Sequence, residues 1–108
     1  MTSEQLEAFY GMLDQLKAKT LSGEIVWRML NPTTFSHEST TAKLVIQQTT
    51  QMNTAVYFFE AKDSVGRPQL EIGGSPTTET NKRLRDLFLS IRNYKDSKGL
   101  EFLKSVVS

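Results

Sequence analysis

Apolar residues recur at spacings of three and four at Leu6, Phe9, Leu13 and Leu16, with Tyr10 and Met12 beside them. This is the period of one face of an α-helix, and it predicts a helix over residues 3–20. Thr2 or Ser3 can cap its first amides, Glu4 and Glu7 suit the positive end of the helix dipole, and Lys17 and Lys19 suit the other end. Ser22-Gly23 supplies the stop, because glycine takes a left-handed cap at little steric cost. From Glu24 the period falls to two, and the alternation through Ile25, Trp27 and Met29 predicts a first strand that ends at Asn31-Pro32. Thr33 to Thr40 reads as a polar loop. Further strands are predicted over 41–48, over 54–61 and, opening with Pro68 as an edge strand would, over 69–72. Asn53 and Asp63-Ser64-Val65-Gly66 are the turn residues between them.

Connections this short favour neighbouring antiparallel strands, since parallel neighbours need crossovers of a dozen or more residues. Ser75-Pro76 marks the start of a second helix, there or a few residues on, with Leu84, Leu87, Phe88 and Ile91 as its buried face and Tyr94 continuing it. Asp96-Ser97-Lys98-Gly99 is expected to break that helix. Leu100, Leu103 and Val107, with Phe102 and Val106, then suggest a short C-terminal helix packed back on the body. The expected architecture is one α+β domain over residues 1–108, in the order α-β-β-β-β-α-α, with the helices mainly on one face of a four-stranded meander.

If Ile25, Trp27, Leu44, Ile46, Tyr57, Phe59, Leu70 and Ile72 face the helices, the opposite face carries Val26, Leu30, Val45, Val56 and Phe58, interrupted by Arg28, Lys43, Gln47 and Glu60. That half-apolar face is the candidate protein interface, with Val26, Arg28, Leu30, Val45, Val56 and Phe58 as its members. Its polar interruptions would be costly inside a sealed core, which favours a second copy or another protein as its cover.

Composition narrows the chemistry. The chain has 108 residues, 38% hydrophobic and 23% charged, so it can bury one core without staples. It has no cysteine, which removes disulfides, thiolate metal sites and thiol nucleophiles. A net charge of +1 advertises neither nucleic acid nor an anionic membrane. The N-terminus carries no basic segment leading into an apolar run, and no stretch approaches the roughly 18 apolar residues of a membrane span, so a cytoplasmic protein without membrane contact is expected. The only Asn-x-Thr match, Asn31-Pro32-Thr33, contains the proline that disqualifies it for glycosylation.

Few residues suggest reaction. His37 is the only histidine, in a polar stretch with no spacing that marks a triad. The acids have ordinary explanations at helix ends, turns and strand positions. Gly73-Gly74-Ser75-Pro76 precedes a helix, where anions can bind, but it has no Gly-Lys-Ser/Thr and its proline removes an amide. No catalytic residue, cofactor or metal site is expected. Charge is nonetheless segregated: from Thr77 onward seven basic residues (Lys82, Arg83, Arg85, Arg92, Lys95, Lys98, Lys104) face four acids (Glu79, Asp86, Asp96, Glu101), a local balance of about +3. Arg85 and Arg92, seven apart and nearly aligned on the second helix, with Lys82 near them, form a candidate anion or nucleic-acid ridge.

The segment Leu13 to Trp27, a helix closed by Lys19-Thr20-Leu21-Ser22-Gly23 and followed by Glu24-Ile25-Val26-Trp27, resembles the start of a loose set of small bacterial and mobile-element proteins. Tyr57-Phe58-Phe59-Glu60 with Asp63-Ser64-Val65-Gly66 is similar to their central hairpin, and Leu84-Arg85-Asp86-Leu87-Phe88 to their closing helix. The resemblance implies the fold and carries over no activity and no site. The expectation from sequence is a non-enzymatic interaction domain, self-associating through the open sheet face. A nucleic-acid accessory protein using the second helix is the alternative, and an enzyme with an unrecognised site is the third reading.

Overall fold

Two helices lie side by side on one face of an antiparallel sheet, and the core fills the space between them. The computed structural model describes residues 1–108. Helix α1 spans Ser3–Ser22, strands β1 to β5 span Arg28–Asn31, Thr34–Glu38, Ala42–Gln51, Thr54–Asp63 and Pro68–Gly73, and helix α2 spans Glu79–Val107. The strands follow one another in space in chain order, each antiparallel to the next. No helix is long and apolar enough to cross a membrane.

The ends of α1 follow its sequence signals. Thr2 and Gln5 form a reciprocal capping box, and Gly23 closes the helix at φ +82°, its amide donating to Thr20 O. The chain then winds past the helix end, with the Ile25 amide bonded to Lys19 O, so the first strand starts only at Arg28. Trp27 is buried all the same. Its indole Nε1 donates to Thr20 Oγ1 at 2.9 Å, and that hydroxyl donates to Leu16 O at 2.7 Å, so the only tryptophan is fastened to the end of α1.

Three expectations are corrected. The stretch Thr33 to Thr40 is not a loop: Thr34–Glu38 forms β2, paired with β1 and β3, which makes five strands. Phe35 in its middle is buried against Phe88, at 5.1 Å between ring centroids. His37, placed by sequence in a solvated loop, lies on this strand, donates from Nδ1 to Val26 O at 2.9 Å and rests beside Trp27. The second helix does not break at Gly99. It follows its N-cap Thr78 and runs unbroken for 29 residues, Glu79–Val107, because one glycine costs only about 1 kcal/mol in a helix that is already nucleated.

The sheet is pinned by short turns. Met52 and Asn53, at φ 51° and 62°, make the two-residue connection that the right-handed twist of a hairpin prefers. Between β4 and β5, Asp63 Oδ1 accepts from the amides of Val65 and Arg67, and Gly66 takes φ +88°. The core contains Phe9, Tyr10 and Leu13 from α1, Leu84, Leu87, Phe88 and Ile91 from α2, and Phe35, Ile46, Tyr57 and Phe59 from the sheet. Fully burying each of these side chains stabilises the fold by roughly 1.5–3 kcal/mol.

Candidate interaction surfaces

The two helices run parallel. Tyr10 Oη meets Thr80 Oγ1 at 2.8 Å, Asp14 meets Arg83 at 3.6 Å, and the Cα of Gly23 sits against the hydroxyl of Tyr94. Since α1 ends there and α2 continues, α2 overshoots the body. Arg92 makes the last hydrogen bond to the body, with Nη2 donating to Pro32 O at 3.0 Å and its guanidinium over the Phe88 ring at 4.8 Å. From Asp96 onward every residue is exposed, and the hydrogen bonds of this segment are local to the helix. The overhang of residues 96–107 is about 18 Å long.

Its side chains are not those of a solvated helix end. Leu100, Phe102, Leu103, Val106 and Val107 are all more than half exposed, the last at 75%. At about 100° per residue they occupy one arc roughly 160° wide, with Gly99 and, nearest the body, Asp96 inside it and Lys98, Glu101, Lys104 and Ser105 outside it. Phe102 follows Leu84, and Val106 follows Phe88, by 18 positions, roughly five whole turns. The line of side chains that packs on the sheet therefore continues past the sheet with nothing beneath it.

The sheet face opposite the helices is open, as expected, but its side chains alternate. Across the strands the register sets Arg28, Ser36, Val45, Glu60 and Glu71 in one row and Thr34, Gln47, Phe58 and Gly73 in the next. Val45 and Phe58 are half-buried among these polar neighbours, and Val56 is only 9% exposed. Val26 and Leu30 are exposed at the other end of the sequence-derived set, Val26 in the segment leading into β1 and Leu30 on β1, an edge strand exposed along its length. Arg28 is exposed on the same strand. The six residues thus divide into a dispersed central group and an edge group, Val26, Arg28 and Leu30. The edge group lies near the root of the overhang, where Val26, Tyr94 and Lys95 line one small hollow.

The basic ridge divides as well. Lys82 and Arg85 are exposed beside a shallow polar hollow of about 260 Å³ at the start of α2. Arg92 is not on that surface: it is half-buried and holds the β1–β2 turn. Nearby, Arg83 lies over the Tyr10 ring and bonds Glu79 at 2.8 Å. That hydrogen bond holds the Glu79 carboxyl below the usual carboxylate range and raises the Arg83 guanidinium.

A second apolar concavity of about 300 Å³ opens between α1 and the far ends of β3, β4 and β5, where Met12, Leu16, Ile25, Leu44, Ala61 and Leu70 stand around Phe9 and Phe59. No three His, Asp or Glu side chains converge as a metal site would require. The sequence already contained the signal for the overhang, five large apolar residues in eight positions, but the expected break at Gly99 turned that signal into a helix folded back on the body. No family model, curated protein or solved structure matches the chain.

Proposed function

We propose that the protein is a non-enzymatic interaction domain of the cytoplasm, which works by binding another protein through the overhanging end of α2. The observation that supports this reading is the single arc of five exposed apolar side chains on a helix segment that is exposed along its whole length. A dozen helical residues unsupported in water are marginally stable, and monomeric proteins seldom leave contiguous apolar patches of several hundred Å² uncovered. Helix-in-groove or helix-on-helix recognition uses this spacing of apolar anchors. The overhang replaces the open sheet face as the favoured surface, because the apolar residues of that face are set among polar neighbours, Val45 opposite Glu60, Phe58 opposite Gln47 and Val56 opposite Thr49.

The test is affinity capture with the intact chain and with Leu103→Asp. A protein retained by the first and lost with the second supports the reading. Identical capture by both overturns it.

A further inference from the structure

We propose that the apolar concavity between α1 and the sheet is a small-molecule site, separate from the overhang, and that its ligand has a hydrocarbon body and a single carboxylate head. The space originates in one row of the sheet. Leu44, Ala61 and Leu70 stand directly opposite one another on β3, β4 and β5, on the side that packs toward the helices. Ala61 is the middle member, so the row dips to a single methyl between two leucines. No side chain fills the dip from above. Helix α2 approaches β3 and β4 closely, whereas α1 stands off the sheet. Phe9 of α1 closes the gap over the neighbouring row, its ring 5.7 Å from that of Phe59, but at the row of Ala61 the side chains of Met12 and Leu16 only line the opening.

About 300 Å³ is left, lined almost wholly by hydrocarbon. At roughly the 30 Å³ that a water molecule takes up in the liquid, this holds about ten non-hydrogen atoms, at the lower end of small-molecule sites. Phe9, Leu13 and Phe59 at its base are buried, while Leu16, Ile25, Leu44 and Leu70 around it are only half-buried. An apolar body laid over Ala61 would take their open surface out of water, and that is favourable in proportion to the area covered.

The head is chosen at the mouth. Gln15 and Lys19 are the only polar side chains on the lining, both exposed, and at a spacing of four they lie on one face of α1 a turn apart. Lys19 is the only charged one, and it forms no ion pair within the chain. A carboxylate there would accept from the Lys19 ammonium and the Gln15 amide, in charge-assisted hydrogen bonds. An ammonium head would meet like charge, and a phosphate would find no second cation on the lining.

The probe is octanoate, which is of that size, titrated into the full chain with the methyl resonances of Leu44, Ala61 and Leu70 as the readout. Saturable shifts at these methyls are expected, with octanoate binding tighter than octylammonium by about fivefold or more. Ala61→Leu, which fills the dip, should abolish the binding. Lys19→Glu should reverse the preference between the two heads, and because Lys19 is exposed and unpaired this variant tests the site even where Ala61→Leu fails to fold. Equal affinity for both heads overturns the proposal, as do shifts that never saturate or that fall on Leu100 and Leu103 of the overhang instead. Shifts of the same three methyls on raising the protein concentration without ligand would give the cleft to a second copy, and overturn it too. Leu103→Asp should leave octanoate binding unchanged, so failure of this site and failure of the overhang as a protein-binding surface are read separately.

Discussion

The side-chain amide of Asn81 takes the place of a neighbouring strand for Tyr57: its Oδ1 accepts from the Tyr57 amide at 2.8 Å. Its Nδ2 donates to Ala55 O at 3.2 Å, three residues beyond Phe58, where β5 stops pairing with β4. Gly74 closes the same corner, its amide donating to Tyr57 O at 2.8 Å. A Cβ built on Gly74 would lie 2.6 Å from the Asn81 backbone. The edge of β4 is thus finished by the first turn of α2, and this contact fixes where that helix crosses the sheet.

Asn81→Ala should therefore destabilise the fold by about 1–3 kcal/mol, because it leaves a buried amide without a partner. Gly74→Ala should cost at least as much, since the obstruction is backbone and not a flexible side-chain end. The two changes act on one corner, so the double variant should cost less than the sum. Urea denaturation of the three variants measures all of this, and strict additivity would refute the shared corner.

Thr20→Val tests the fastening of Trp27. The substitution keeps the volume but strands the buried indole N–H, so a loss of about 1–3 kcal/mol is expected, with Thr20→Ser retaining most of the stability. Trp27 is the only tryptophan, so its fluorescence follows the unfolding directly. Equal stabilities for the valine and serine variants would show that the hydroxyl contributes nothing.

How much could be read from the chain depended on whether the local signal was apolar. The period of α1, its cap at Thr2 and its stop at Gly23 were all legible, as were the alternating runs of β3 and β4. Strand β2 escaped because its buried positions include Thr34 and Ser36, so Phe35 was the only apolar residue in the stretch, and polarity suggested a loop. Residues 24–27 alternate like a strand, yet they wrap the end of α1 because Trp27 finds its hydrogen bond there. Gly99 carried a real but small helix penalty, too weak to outweigh the residues on either side. Of the candidate surfaces, Val26 and Leu30 were found at the exposed edge, Val56 proved buried, and the role of Arg92 in holding Pro32 had no sequence signal, since the two are 60 positions apart.

Glu79 and Arg83 give a pH dependence with a defined sign. The hydrogen bond from Arg83 keeps the folded-state carboxyl below its unfolded value, so the stability it contributes is present above the unfolded pKa and is lost as pH falls through the folded one. The pair is exposed, and its effect on global stability is correspondingly small. The direct measurement is a carboxyl titration by NMR. The Glu79 midpoint should lie below that of free glutamate and move upward in Arg83→Gln, and an unmoved midpoint would assign the depression to something other than Arg83.

Removing the overhang separates folding from binding. A chain ending at Lys95 lacks thirteen residues (108 minus 95), none of which reaches the core. Its last turn still contains Tyr94 beside Gly23 and Arg92 on Pro32, so the contacts that position α2 survive. At high dilution, where no partner is bound, its stability should match that of the full chain within about 0.5 kcal/mol. Affinity capture with the shortened chain should lose whatever protein the full chain retains through the overhang. Thermal unfolding of both chains, run beside the capture, distinguishes lost binding from lost folding. Capture unchanged by the truncation would place the contact elsewhere than on the overhang, and a shortened chain that fails to fold would mean that the exposed helix end supports the core from a distance.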